Sequence, residues 1–248
     1  LHSLTNSGLD WAMCKITSAI AEGDYTVFEL NGSQSVFEHV SFDTGQTETV
    51  RGGNCFSVGS TDSNDAEFHF CRWTQCRYAF VRANTTTSAQ STYQWNGCSW
   101  ENNIGGNVTV NAVNGDVDNF QLVGGVMGDM VGGDNELSAG YPTDTGGIVG
   151  TEGLAVAIGS ANRVMIDGLI IEGEMVEAIH TEEKAVNQVI TNVIAVVRHR
   201  PENINAYEKG FSCSANYVGD GGTATSLTIA PRNILVANSI FEYQNFHA

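Results

Sequence analysis

Positive charge is scarce in this chain. Three Lys and eight Arg stand against 28 Asp and Glu, a net charge of −17. A nucleic-acid binder needs a basic footprint, so that class is excluded. Charged residues of both signs make up only 16 %, against about 25 % in an average soluble domain. The Ala/Glu/Lys/Leu bias of a helical bundle is missing as well. No apolar run approaches the ~20 residues of a membrane-spanning helix, so no membrane insertion is expected. The P-loop, His-Glu-x-x-His, Gly-x-Ser-x-Gly and Cys-x-x-Cys signatures are all absent. The Gly- and Asp-containing stretch from Gly124 to Asn135 is one imperfect copy of a calcium-type nonapeptide and reads as a Gly-rich loop. No metal or cofactor site is expected.

What is abundant is apolar residues, 42 % of the 248, together with 28 Gly and 22 Asn. That is ample for a buried core. Leu1 is not an initiator methionine and no stop signal is evident before Ala248, so the chain is expected to be part of a longer one.

A repeat of the form apolar-x-x-apolar-x-apolar recurs along the sequence. Its copies start at Phe37, Phe68, Trp95, Leu122, Ile166, Ile190 and Val236, at spacings of 31, 27, 27, 44, 24 and 46. Most copies place Gly, Asn or His at the third position, where a tight turn demands positive φ. A second strand-like piece precedes each copy, over 25–30, 54–58, 78–81, 107–110, 154–158, 178–180 and 227–229. Strands this short cannot bury a face alone, and stacking them coil on coil makes one continuous apolar column. A β-sandwich would show regular alternation and two-residue hairpin turns instead. The expected fold is all-β, a right-handed parallel β-helix of about seven to nine coils spanning 25–248. Residues 1–24 are expected as a lead-in or coil cap, and insertions near 131–153 and 198–226 account for the two long spacings.

Two phrases carry a resemblance. They are Leu154-Ala-Val-Ala-Ile-Gly-Ser-Ala-Asn-Arg-Val-Met-Ile-Asp-Gly-Leu-Ile-Ile-Glu-Gly and Leu227-Thr-Ile-Ala-Pro-Arg-Asn-Ile-Leu-Val-Ala-Asn-Ser-Ile-Phe-Glu. In these, and in its acidic, Lys-poor, Asn/Gly-rich coils, the chain resembles the pectate-lyase-like β-helix superfamily, and within it bacteriophage tailspikes. The likeness is one of pattern over roughly residues 25–245. It implies a trimeric virion protein that binds, and often cleaves, bacterial capsule or lipopolysaccharide glycan.

The fourth and sixth positions of each copy are expected to face inward: Val40/Phe42, Cys71/Trp73, Cys98/Trp100, Gly125/Met127, Leu169/Ile171, Val193/Ala195 and Ser239/Phe241. Cys71 and Cys98 would then occupy one slot of adjacent coils, close enough for a disulfide but equally placed as stacked thiols. Thiols suit assembly in a reducing cytosol. The outward positions split. Early coils show Ser41/Asp43, Arg72/Thr74 and Ser99/Glu101, whereas later ones show Val126, Ile170, Ile194, Val196 and Ile240. Such an apolar stripe is expected to be covered, either by the insertions or by neighbouring subunits of a homotrimer.

Glycoside hydrolysis needs two carboxylates, about 5–5.5 Å apart for retention or 6.5–9.5 Å for inversion. Glu101, Asp129 and Glu172 are the expected catalytic set, with Asp167 and Asp134 as further acids. Glu174 is expected to face Arg198 one copy later. These two, with Tyr141, Tyr207 and Tyr217 in the insertions, are the expected glycan contacts. A lyase would instead draw on the basic concentration of His180, Lys184, Arg198, His199 and Arg200. A spike that binds without cutting and an autotransporter passenger are the remaining alternatives; six cysteines speak against the latter.

Overall fold

The computed structural model describes residues 2–5, 8–17, 26–31, 34–44, 54–58, 65–76, 78–82, 91–103, 106–110, 117–128, 154–175, 177–198, 209–214 and 232–244. All regular structure among them is β-strand. The strands stack in parallel as a β-solenoid with three faces. The second coil illustrates the unit: Thr26–Asn31 lies on the first sheet, Gln34–Glu38 on the second and Ser41–Asp43 on the third. The third sheet has eight strands, so the described coils number eight, within the expected seven to nine. In the seventh coil one strand, Glu177–Thr191, bends across the corner and serves both the first and second sheets.

Residues His2–Thr5, Gly8–Ala12 and Lys15–Thr17 pair onto the three sheets as a first coil. The last coil draws its first-sheet strand from Lys209–Ser214, inside the stretch expected as the second insertion. The piece at 227–229, expected to fill that place, lies outside the described residues, as does 131–153.

The expected inward column is borne out from the second to the seventh coil except at Gly125, which is half-buried, as are Ser239 and Phe241 in the last coil. Val40, Phe42, Cys71, Trp73, Cys98, Trp100, Met127, Leu169, Ile171, Val193 and Ala195 are all buried. Its chemistry changes along the axis. Early coils pack rings on rings: Phe37 on Phe68, Phe68 on Trp95, Phe42 on Trp73, at 5.1 to 5.6 Å between centroids. Later coils pack Ile166, Leu169, Ile171, Ile179, Ile190 and Val193. Parallel in-register strands put like residues one rung apart, and flat rings fill that spacing as well as branched aliphatics do.

The corner between the second and third sheets follows from the third position of the repeat. There Met13, His39, Phe70, Gly97, Gly124, Gly168, Asn192 and Asn238 all adopt positive φ. Each of the first seven donates its amide to the coil ahead, as His39 does to His69 O at 2.9 Å and Gly124 to Asp167 O at 2.7 Å. Two residues on, the chain donates to the coil behind, as Arg72 does to Val40 O and Ile194 to Leu169 O. The turn therefore leaves no break in the hydrogen bonding between coils. Asn and Gly tolerate this conformation; Phe70, with no such tolerance, departs from the pattern.

Cys71 and Cys98 stack in adjacent coils as expected, and they are free thiols, like Cys14, Cys55 and Cys76. Each donates its thiol to a carbonyl of the coil behind, Cys71 to Phe37 O and Cys98 to Phe68 O, both at 3.3 Å. Burial pushes the Cys98 thiol well up, and its contact with Cys71 adds to the effect. Burial likewise raises Cys55. Their thiols are therefore protonated at neutral pH, which makes them poor nucleophiles.

Candidate functional site

The third sheet carries the expected acids on its outer face. Registers run from Arg72 to Ser99, Val126, Ile170, Ile194 and Ile240 in one outward column. In the next column Thr74 stands beside Glu101, and Glu172 beside Val196, which in turn stands beside Glu242. Because Trp100, Met127 and Ile171 are in register, Gly128 occupies the rung between Glu101 and Glu172. Its amide donates to Trp100 O at 2.8 Å, and it presents no side chain to the face.

Each carboxylate has its own arginine. Arg72 donates to Glu101 at 2.5 Å from the coil behind, and Arg198 donates to Glu172 from the coil ahead. The sequence is therefore arginine, glutamate, bare backbone, glutamate, arginine, over five consecutive coils. Two coil spacings of ~4.8 Å put the glutamate backbones ~10 Å apart. The arginines draw the two carboxylates away from each other. A separation of this size is too wide for the retaining geometry of paired carboxylates and exceeds the roughly 6.5–9.5 Å of the inverting one as well. Both acids are about half exposed, 50 % for Glu101 and 53 % for Glu172. Neither has the apolar enclosure that keeps a general acid protonated.

Glu174 does stand opposite Arg198 in register, yet the guanidinium goes to Glu172. Asp167 sits at the end of the second sheet beside the corner, across it from Glu172. It accepts from Thr191 Oγ1 and Asn192 Nδ2, both at 2.7 Å, and these bonds, Thr191 first, hold its carboxyl below the usual range. That places it as a clamp between the sixth and seventh coils. Asp129, Asp134, Tyr141, Tyr207, Tyr217, His199 and Arg200 lie outside the described residues.

The basic concentration is dispersed by the fold. His180 and Lys184 are on the strand Glu177–Thr191, with His180 in the first sheet, whereas Arg198 ends a third-sheet strand. His180 instead pairs with Glu177, Nδ1 to Oε2 at 3.0 Å. Glu177 is a site that the sequence did not mark. It is 4 % exposed, and its other oxygen has no hydrogen-bond partner. Nothing in the local pattern distinguishes this acid from its exposed neighbours, because its burial depends on the first sheet of the sixth coil beside it. Among the described residues no cluster of His, Cys, Asp and Glu has the spacing of a metal centre.

The apolar stripe is where it was expected. Val126, Ile170, Ile194 and Ile240 are exposed, while Val196 is half-buried. A second stripe, not expected, runs along the second sheet through Met165, Val189 and Leu235, which are mutually in register and also exposed. Comparison of the chain with protein-family models, with curated proteins and with solved structures finds no match.

Proposed function

We propose that this chain is a β-helix domain of the tailspike type, part of a phage virion, that binds capsule or lipopolysaccharide glycan of a bacterial host and hydrolyses it. The observation that carries the reading is the pair Glu101 and Glu172, on either side of the bare Gly128 rung of a solvent-open sheet. In this scheme one carboxylate takes a proton from water as that water attacks the anomeric carbon. The other gives a proton to the departing glycosidic oxygen. Asp129, next in the chain after Gly128, completes the proposed set, and Arg198 and Glu174 flank it as glycan contacts.

The half-exposed, arginine-paired state of both acids favours a second reading, binding without cleavage. Incubation with host capsule or O-antigen, followed by reducing-end and unsaturation assays, separates the two. New reducing ends that fall ~100-fold or more in Glu172→Gln support hydrolysis. Retention of glycan with no new ends supports the binding reading. Unsaturated ends would point to a lyase, and absence of both retention and cleavage would sink the polysaccharide reading.

The partner in solution is proposed to be two further copies of the chain. Closed rings join unlike patches on neighbouring subunits, and each coil from the sixth to the eighth offers two, one on either side of the same corner. Both stripes lie at the same height along the axis, as rotation about an axis parallel to the solenoid requires.

A further inference from the structure

Of the eight residues at the corner between the second and third sheets, five are Gly or Asn and Phe70 is the bulkiest, at φ 53°. The residue is 58 % exposed. The ring is nevertheless held in place. On one side it lies parallel to the His39 imidazole, 5.1 Å between centroids and 14° between planes. Along its Cδ1–Cε1 edge it leans on Gly97, where a Cβ would stand 2.8 Å from those two ring carbons and 3.9 Å from Cγ, so Gly97 does not cover the face turned away from His39. A fixed aromatic plate thus projects into solvent from a backbone conformation that phenylalanine disfavours.

The plate has a polar bank. His69, the residue before Phe70, stands in register with Asn96 and Glu38. Asn96 Nδ2 donates to His69 Nδ1 at 3.0 Å, so that Nε2 carries the proton toward Glu67, at 3.2 Å. Glu38 lies 3.9 Å from the His39 ring nitrogen. Arg72, two residues further on in the third sheet, is engaged by Glu101. One flat ring edged by carboxylates, an amide and imidazoles is not the contiguous apolar patch that a protein partner covers. It matches a sugar, whose C–H face stacks on a ring while its rim hydroxyls reach hydrogen-bonding groups.

We infer that Phe70 is the stacking plate of a glycan subsite that takes an uncharged pyranose, a hexose or an N-acetylhexosamine. Glu38 and Glu67 repel sugar carboxylates and accept from sugar hydroxyls. The inference rests on the polysaccharide reading above and adds a site to it, two residues before Arg72 and around the corner from Glu101.

Affinity electrophoresis of the whole chain tests it, in gels containing dextran, mannan or galactan and, as charged counterparts, polygalacturonate or hyaluronate. The expected result is retardation by at least one uncharged glycan, weakened about tenfold in Phe70→Ala and kept in Phe70→Trp. Phe70→Asn suits the corner backbone better, so it should lose retardation while its thermal midpoint stays level or rises. Retardation by the charged glycans alone, or equal retardation of Phe70→Ala and wild type, would overturn the subsite and leave the polysaccharide reading standing. Retardation by none of the gels would overturn the subsite and count against that reading too.

Discussion

Trp73 and Trp100 stand one coil apart with their ring centroids at 5.2 Å and their planes within 8° of parallel. Phe42 continues the stack on the other side of Trp73, at 5.3 Å. The indole nitrogens of both tryptophans are buried without hydrogen-bond partners, so it is ring area rather than the N–H that stabilises the column. Trp100→Ala is expected to cost ~3–5 kcal/mol, read as a lowered urea midpoint. Trp100→Phe keeps a stacked ring and removes an unpaired donor whose burial costs about 1–3 kcal/mol, so its loss should be far smaller. Equal losses in the two variants would show that stacking is not what the site rewards.

Asparagine does a different job at the corner between the first and second sheets. Asn187, at φ 54°, donates to Asn162 at 3.1 Å and accepts from Asn233 at 2.9 Å, a ladder across three coils. Asn187→Ala removes both bonds and leaves a Cβ in the left-handed region, at ~2 kcal/mol in all. Asn187→Gly loses the bonds but not the conformation, and should be about 1 kcal/mol less damaging. Thermal unfolding of the pair distinguishes them; Ala and Gly variants of equal stability would remove the conformational part of the argument.

Asp167 gives a pH dependence with a definite sign. Hydrogen bonds from Thr191 and Asn192 hold its folded-state carboxyl below the unfolded value of ~3.9. Such a group contributes stability above that pH and loses it as pH falls through the depressed folded value. Asp167→Asn should therefore lower the thermal midpoint at neutral pH, and the gap to wild type should close as both are titrated below about pH 4. A gap that is constant with pH would mean that the charge is not what matters.

The proposed ring can be probed where its sheets meet. Ile194 is 44 % exposed and lies in register with Ile170 and Ile240. Ile194→Lys leaves the inward neighbours Val193 and Ala195 untouched, so the coil should fold. Sedimentation velocity is expected to give a trimer for wild type and monomer for the variant. An unchanged oligomer would exclude this stripe from the interface.

Much of the scaffold could be read in the sequence, because a solenoid writes its contacts at a fixed interval. The inward pairs from Val40/Phe42 to Val193/Ala195 were recoverable from spacing alone, as was the positive φ of His39, Gly97 and Asn192. The shared slot of Cys71 and Cys98 followed from the same register. Side-chain partners were harder. Glu174 was rightly placed opposite Arg198, but a long guanidinium chooses diagonally, and it went to Glu172. His180 and Arg198 are close in sequence and on different sheets, since a corner intervenes. Glu177 is hidden by a neighbouring coil, and Phe70 looked like one more apolar residue in a repeat full of them. Only the corner geometry turns that ring outward.

The uninterrupted ladder at the corner has a mechanical consequence. Every bond it contributes, forward from one residue and backward from the residue two beyond, points along the length of the solenoid. A pull on the two ends of the chain therefore loads one rung at a time, and the coils peel from a terminus. A push along the axis presses donor toward acceptor at all seven junctions between the described coils together and opens none of them. The same backbone is weak under tension and stiff under thrust.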